Sequence, residues 1–258
     1  VKCSQGGVNT INGNTVLCKG DVTRPGGDSN DNNNGTTIFE ISGAGNNTLT
    51  LTGGGTNNFR NPFRINKSGG TATFANTTQT FKDSWTYDAG TVAFGTSTLA
   101  VDRIAINASG LVFNNLNFIS GSTTSTLTAT MTVAGTCNTG SSVGTTVING
   151  STIFCTGTLQ RASGANNNSG TTIFEISGAG NQSIDCQGGA ANNFRNPVVI
   201  NKSGGTATFT DTTQTLQGGF TYTAGTVAMG ASTIVFAGTN NVAGGTIAFN
   251  NVTISGTI

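Results

Sequence analysis

The chain has 258 residues, of which 34% are hydrophobic and 8% are charged, and its formal net charge is +1. So small a net charge creates no long-range field, which argues against nucleic acid or an anionic membrane surface as a partner. No apolar run approaches the roughly 20 residues needed to cross a bilayer, so membrane insertion is not expected.

Short segments in which Ile, Val, Phe and Leu alternate with Thr and Ser indicate strands. The first segment without this pattern is 21–34, which is expected to form a loop. The strands predicted after it, in chain order, are 36–41, 48–52, 63–66, 71–74, 85–87, 91–94 and 97–101. Turns rich in Gly and Asn separate them, as expected for strands of three to six residues.

The chain contains a tandem duplication. Residues 35–45 recur letter for letter as 170–180, an offset of 135 positions, and residues 65–74 recur at the same offset as 200–209. We therefore divide the chain into unit one (1–121), a connector strand (122–136) and unit two (137–258). Repeats of one supersecondary unit bury their apolar faces against their neighbours rather than around a private core.

Strand length, turn spacing and duplication together predict an all-β fold, a parallel β-solenoid with coils of roughly 20 to 27 residues. Residues one coil apart then lie side by side. This predicts ladder salt bridges between Glu40 and Arg60 and between Glu175 and Arg195, which are each 20 positions apart. The rings expected to stack in the interior are Phe59, Phe74, Phe194 and Phe209.

The cysteines follow the duplication. Cys3 and Cys18 correspond to Cys137 and Cys155, and the simplest pairing is one disulfide within each unit. Because disulfides persist in oxidising compartments, the protein is expected to be extracellular or at the cell surface. Val1 does not begin a signal sequence, so the chain is expected to be a mature product or an excised segment. Cys186 occupies an inward strand position and is expected to be a buried thiol.

The connector has no counterpart after unit two and is a candidate assembly strand. An uncapped solenoid end presents an unpaired strand edge, which another chain can extend by β-augmentation. The expected partners are copies of the same protein or further repeats of the same polypeptide. The candidate strand comprises Thr126, Leu127, Thr128, Ala129, Thr130, Met131, Thr132 and Val133.

Asn-x-Ser and Asn-x-Thr sequons are frequent, so N-glycosylation is a further prediction. Lys67 and Lys202, each in a repeated Ile-Asn-Lys-Ser, are expected to lie at the surface, with a Lys to Asn isopeptide bond as the alternative. The sequon asparagines are Asn34, Asn46, Asn66, Asn76, Asn107, Asn149, Asn167, Asn181, Asn201 and Asn251.

The chain contains no His, the usual general base and the commonest zinc ligand. We therefore expect no enzyme, no catalytic residue, no metal and no cofactor. A polysaccharide-active enzyme working with two carboxylates is a lesser alternative. An ice-binding protein is another lesser alternative, because Thr-x-Thr pairs such as Thr71 with Thr73 can order water on a flat face. These pairs, however, do not recur at a fixed coil spacing.

The repeated Asn-Phe-Arg-Asn-Pro and Ile-Asn-Lys-Ser-Gly-Gly-Thr-Ala-Thr-Phe segments, with Thr-Ala-Gly-Thr-Val, resemble the β-strand-repeat surface proteins of prokaryotes, which are filamentous adhesin-like parallel β-solenoids. The resemblance implies an extracellular rod and supplies no catalytic residue. The expected function is structural: a subunit or repeat segment of a cell-surface filament, sheath or stalk that assembles end to end. The alternative is a carbohydrate-binding adhesin, with a groove for glycans around Trp85, Tyr87 and Arg103.

Overall fold

The computed structural model describes residues 8–24, 32–51, 59–75, 78–119, 123–140, 144–161, 168–186, 194–238 and 241–257. In this part of the chain all regular structure is β, and no helix is present that could cross a membrane. The pairings between neighbouring strands are parallel, which confirms the predicted β-solenoid.

The strands are short, and two of them reach 12 residues. The segment 21–34 is not a loop throughout, because Val22–Arg24 and Asn32–Asn34 are strands, and residues 25–31 lie outside the described part. In chain order they are β1 (Val8–Thr10), β2 (Val16–Cys18), β3 (Val22–Arg24), β4 (Asn32–Asn34), β5 (Phe39–Ser42), β6 (Asn47–Leu51), β7 (Phe59–Arg60), β8 (Phe63–Phe74), β9 (Thr78–Phe81), β10 (Trp85–Ala93), β11 (Thr98–Val101), β12 (Ala105–Asn107), β13 (Val112–Phe113), β14 (Asn115–Phe118), β15 (Thr123–Leu127), β16 (Met131–Val133), β17 (Thr136–Asn138), β18 (Thr146–Gly150), β19 (Ile153–Cys155), β20 (Thr158–Gln160), β21 (Asn168–Ser169), β22 (Phe174–Gly178), β23 (Gln182–Asp185), β24 (Val198–Phe209), β25 (Thr213–Leu216), β26 (Phe220–Ala228), β27 (Thr233–Phe236), β28 (Val242–Gly244) and β29 (Asn251–Ile254).

The pairings arrange these strands on three faces, which the chain visits in turn. Face I contains β1, β4, β7, β9, β11, β14, β17, β20, β23 and the second halves of β24 and β26. Face II contains β2, β5, the first halves of β8 and β10, β12, β15, β18, β21, β25, β27 and β29, with Phe194 bridging β21 and β25. Face III contains β3, β6, the second halves of β8 and β10, β13, β16, β19, β22, the first halves of β24 and β26, and β28.

The coils differ in length, because their corners hold different numbers of residues. Val101 pairs with Phe118, 17 positions later, whereas Val22 pairs with Leu49, 27 positions later. The predicted range of coil lengths is therefore close to the observed one, but no single spacing places a residue above its neighbour in the next coil.

The second unit is rotated relative to the first by one face. Phe39 lies in β5 on face II, and its counterpart Phe174 lies in β22 on face III. Six successive pairings lead from β5 through β8, β10, β12, β15 and β18 to β21, and β22 follows on the next face. The repeat thus spans six coils and one further face, which is about one third of a turn. Equivalent surface residues of the two units therefore lie on different faces of the solenoid.

Alternating side chains fill the interior. The odd-numbered residues of β8 from Phe63 to Lys67 are buried, as are Ala72 and Phe74 at its other end, and the residues between them are more exposed. Phe59 contacts the rings of Phe39 and Phe81 at centroid distances of 5.3 and 5.7 Å. Phe74 and Phe194 also make ring contacts and Phe209 is buried, so the predicted interior positions of these rings are confirmed.

Glycine and asparagine make the corners between faces. The long strand β8 bends at Gly70, whose φ is 60°, and a Cβ there would lie 2.6 Å from the carbonyl oxygens of Ala44 and Gly45. Only Gly fits so close a backbone approach at positive φ. The Oδ1 of Asn46 accepts a hydrogen bond from the amide of Thr71 at 2.9 Å, which ties this corner to the preceding coil.

Candidate functional site

Two buried lysines, Lys67 and Lys202, each join two successive coils by hydrogen bonds, and we call this arrangement a lysine latch. Lys67 is 3% exposed, and its ammonium donates to the carbonyl oxygens of Gly43 at 3.5 Å and Gly45 at 2.7 Å and to the side-chain oxygen of Asn47. These three acceptors match the three N–H donors of an ammonium. Burial lowers the pKa of Lys67. The expected surface position of this lysine is therefore wrong.

Unit two repeats this arrangement. Lys202 is also 3% exposed and donates to Gly178 O at 3.4 Å, to Gly180 O at 2.7 Å and to the side-chain oxygen of Gln182. Burial lowers its pKa as well. Lys202 is thus a second latch rather than the expected surface lysine.

The predicted ladder partner of Glu40 is corrected to Arg64. Glu40 and Arg64 are register partners on face II, and Arg64 Nη1 lies 3.6 Å from Glu40 Oε2. Arg64 Nε also contacts Asp88 of the next coil at 2.5 Å. Arg60 lies on face I instead, because the coil after Glu40 is four residues longer than the 20-residue spacing assumed.

The predicted bridge of unit two is corrected in the same way. Arg195 Nε donates to Gln217 Oε1 at 2.8 Å rather than to Glu175. Glu175 accepts a hydrogen bond from Asn201 Nδ2 at 2.9 Å, and Glu40 accepts one from Asn66 Nδ2 at 3.3 Å. The repeated feature of the two glutamates is therefore this contact with asparagine.

The cysteines of unit two lie together in the core. Cys137, Cys155 and Cys186 are each 0% exposed and are free thiols. The hydrogen bond with Cys137, followed by burial, raises the pKa of Cys155, and burial also raises the pKa of Cys186. The buried position of Cys186 is confirmed, whereas Cys137 and Cys155 are free thiols in the structure and do not form the disulfide predicted between them. Cys3 lies outside the described residues, so its pairing with Cys18 is not tested.

A carboxylate pair is the main feature that sequence reasoning missed. Asp185 ends β23 and Asp211 follows β24, so the two stack one coil apart on face I beside the buried Arg161. Partial burial, a hydrogen bond that the protonated Asp211 carboxyl donates to Asp185, and the negative charge of Asp185 raise the pKa of Asp211 to about 7, against the opposing effect of Arg161. Unit one has Thr50 and Asn76 at the two acidic positions. The pair therefore belongs to unit two alone.

The Asp211→Asn variant should be more stable than the wild type at pH 8, by about 1 to 2 kcal/mol once solvent screening is included. The wild-type carboxyl keeps a proton in the folded state that the unfolded chain releases above its ordinary pKa of 3.8. The unfolding free energy should therefore fall as the pH rises from about 4 to 7, and the variant should lose this dependence. Urea unfolding at pH 4.5, 6 and 8 measures the unfolding free energy of both proteins. If the variant shows the same decrease with pH as the wild type, the proton held between Asp211 and Asp185 is contradicted.

The candidate assembly strand is part of the solenoid itself. Residues Thr126 and Leu127 belong to β15, which pairs with β12 on one side and β18 on the other. Met131 to Val133 form β16, which lies between β13 and β19. A strand paired on both edges is not available for exchange, so its proposed role in β-augmentation is corrected: these residues add strands to faces II and III between the two units.

The expected glycan groove does not form. Trp85 is 0% exposed and stacks on Phe63 in the core, with ring centroids 6.3 Å apart. The hydroxyl of Tyr87 donates to Gly90 O at 2.6 Å, whereas Arg103 lies at the end of a face I strand. Trp85 is therefore a core residue rather than a sugar platform.

Most sequon asparagines that the structure describes are exposed. Several use their side chains to join coils, such as Asn149, whose Oδ1 accepts from the amide of Thr171 at 3.1 Å, and Asn181, which accepts from Thr206 at 3.0 Å. Their frequency therefore has a structural explanation, and glycosylation stays a prediction. The exposed ones are Asn34, Asn46, Asn66, Asn181, Asn201 and Asn251, Asn107 and Asn149 are half-buried, and Asn76 and Asn167 lie outside the described residues.

The coil that contains β29 leaves apolar side chains uncovered. Val252 and Ile254 are 44% and 53% exposed, although they pair with the buried Ile234 and Phe236 of β27. Among the described residues, β29 has a strand partner only on this side. Comparison of the chain with protein-family models, curated proteins and solved structures gives no match.

Proposed function

We propose that the protein is an extracellular structural protein whose solenoids stack end to end into a filament, sheath or stalk. The observation that carries the proposal is a difference between equivalent residues. Leu116 and Phe118 of unit one correspond to Val252 and Ile254 of unit two, within the related segments that begin Phe-Asn-Asn. Leu116 and Phe118 are 0% exposed, because β17 of the next coil lies over them.

The coil that contains β1 and β2, at the opposite end of the described solenoid, also leaves apolar side chains partly uncovered. Ile11 and Val16 of the first coil are only partly buried. Their counterparts in unit two, Ile148 and Ile153, are 0% exposed, since β15 and β16 of the preceding coil pair with their strands. The junction between units inside the chain is thus a template for a junction between chains. The proposed occupant of the β29 end is the first coil of a second copy.

Stacking would be energetically favourable at the β29 end. Covering Val252 and Ile254 would contribute roughly 1.5 to 3 kcal/mol for each side chain, and each added strand would satisfy one row of backbone groups. The charge on the chain does not oppose association, because its formal net value is only +1.

We expect the wild-type chain to form filaments as its concentration rises, and the Val252→Lys/Ile254→Lys double variant to stay monomeric, because stacking would bury two unpaired ammonium groups. Light scattering and negative-stain electron microscopy measure the difference. Thr253→Lys is the matched control, since Thr253 pairs with the outward-facing Val235 and its replacement should leave assembly intact. A wild type that remains monomeric at every concentration would exclude the proposal.

A further inference from the structure

A charged pocket lies where three successive strands of face I end. Arg60 ends β7, Lys82 follows β9 and Asp102 follows β11. The amide of Lys82 donates to Phe59 O at 2.7 Å and the amide of Asp102 donates to Phe81 O at 3.1 Å, so the three side chains stack one per coil. Together with Arg103 they line a pocket of about 170 Å³.

The pocket holds more positive than negative charge. Lys82 Nζ lies 2.8 Å from Asp102 Oδ2, and Arg103 Nε lies 3.4 Å from Asp102 Oδ1. One carboxylate therefore faces three cations. The Nε of Arg60 is buried and, among the described residues, has no hydrogen-bond partner. A buried guanidinium donor without an acceptor is costly unless a ligand supplies one.

The backbone at Arg103 is a second, independent observation. Its φ is 58°, and it is the only residue other than Gly with positive φ in the part of the chain that the structure describes. The equivalent position of unit two is Gly238, with a φ of 75°. Arg103 therefore adopts a backbone conformation that is easy for Gly and unfavourable for Arg. Backbone strain of this kind is concentrated at functional sites.

Unit two shows the same corner without the excess charge. Gln217 replaces Lys82, Ala237 replaces Asp102, and the Nε of Arg195, the counterpart of Arg60, donates to Gln217 Oε1 at 2.8 Å. The solenoid can therefore form this corner with the arginine Nε hydrogen-bonded to a neighbouring side chain. The Arg60 Nε without an acceptor and the two added cations, Lys82 and Arg103, are specific to unit one, so the fold of this corner does not require them.

We propose that this pocket binds an oxyanion, a sulfate or carboxylate group, through Arg60, Lys82 and Arg103. The planar forks of the two guanidinium groups suit two oxygens of such a group, and the ammonium of Lys82 adds a point charge. Asp102 has a positioning role, because it holds Lys82 and Arg103 at the pocket. This site is independent of end-to-end stacking, since it lies at the corner of face I and away from the β29 end.

Calorimetric titration of the whole chain at low ionic strength tests the site, with sodium sulfate and sodium glucuronate as separate probes. We expect saturable binding that weakens at least tenfold in Arg60→Gln and in Arg103→Gly. The Arg103→Gly variant should keep the fold, because Gly occupies the equivalent corner of unit two. Arg195→Gln is the matched control and should leave binding unchanged.

The two probes distinguish the sources of the oxyanion. Binding of both assigns the site to the charged group itself, and binding of glucuronate alone assigns it to an acidic sugar. The proposal is overturned if neither probe binds saturably, or if Arg195→Gln weakens binding as much as Arg60→Gln. Circular dichroism of each variant confirms that loss of binding does not reflect loss of the fold.

Discussion

The Trp85→Ala variant is expected to be less stable than the wild type by about 3 to 5 kcal/mol, the range for removing a large buried aromatic side chain. Trp85 is fully buried between the ring of Phe63 and that of Phe113, whose centroid is 5.6 Å away. Because stacked coils depend on their neighbours, the cavity should weaken both adjoining coils. Thermal unfolding followed by far-UV circular dichroism measures the loss.

Trp85→Phe is the informative control, because Phe220 occupies the equivalent position of unit two and is 1% exposed. The indole Nε1 of Trp85 is buried and has no hydrogen-bond partner among the described residues. Removing that unsatisfied donor should offset part of the lost packing, so we expect a loss below about 1.5 kcal/mol. Equal losses in the two variants would contradict this account of the core.

The Lys67→Met variant is expected to lose about 2 kcal/mol of stability. Two effects oppose each other here. Burial of the ammonium costs free energy, but its removal leaves Gly45 O and the side-chain oxygen of Asn47 without their donor. Breaking one side of a buried polar contact usually costs more than the contact contributes, so the loss should prevail. Urea unfolding at pH 7 measures the difference.

Lys202→Met in unit two should show a loss of similar size, since its three acceptors match those of Lys67. The losses should add in the double variant, because the two latches share no residue. The exposed Lys19 supplies a control, and Lys19→Met should change stability by less than about 0.5 kcal/mol. A loss at Lys19 as large as that at Lys67 would show that removal of charge, rather than of the latch, is responsible.

The fold class could be predicted because it depends on local patterns that every coil repeats. Alternation of apolar and polar residues identifies strands, and Phe59, Phe74, Phe194 and Phe209 are buried as the alternation requires. The duplication in the sequence indicates an array. Neither pattern needs the exact length of a coil, which is why both predictions survive the variation from 17 to 27 residues.

The contacts between coils could not be predicted with the same accuracy, because they depend on that length. Glu40 and Arg60 are 20 positions apart, but the coil between Glu40 and its register partner Arg64 is 24 positions long. An error of four residues moves the partner to another face. For the same reason, the rotation of unit two by one face appears only when the strands of each coil are counted in the structure.

The charged clusters were missed for a different reason. The charges that stand out in a duplicated sequence are those that repeat in both units, such as Glu40 and Glu175. Asp185 and Asp211 differ between the units, and so do Lys82 and Asp102. Aligning the units and marking each charge present in only one of them would have identified these residues before the structure was known. Lys67 was misjudged because a long charged side chain in a polar segment usually lies at the surface.

The most direct test of end-to-end stacking is cryo-electron microscopy of filaments of the wild-type chain, with helical averaging. We expect strands perpendicular to the filament axis at roughly 4.8 Å spacing, continuous from one copy into the next. Within each copy, the two units should be related by about one third of a turn and a rise of roughly 30 Å, which corresponds to six coils and one face. Short rods that never join, or rods that associate side by side with the β29 end uncovered, would contradict the account.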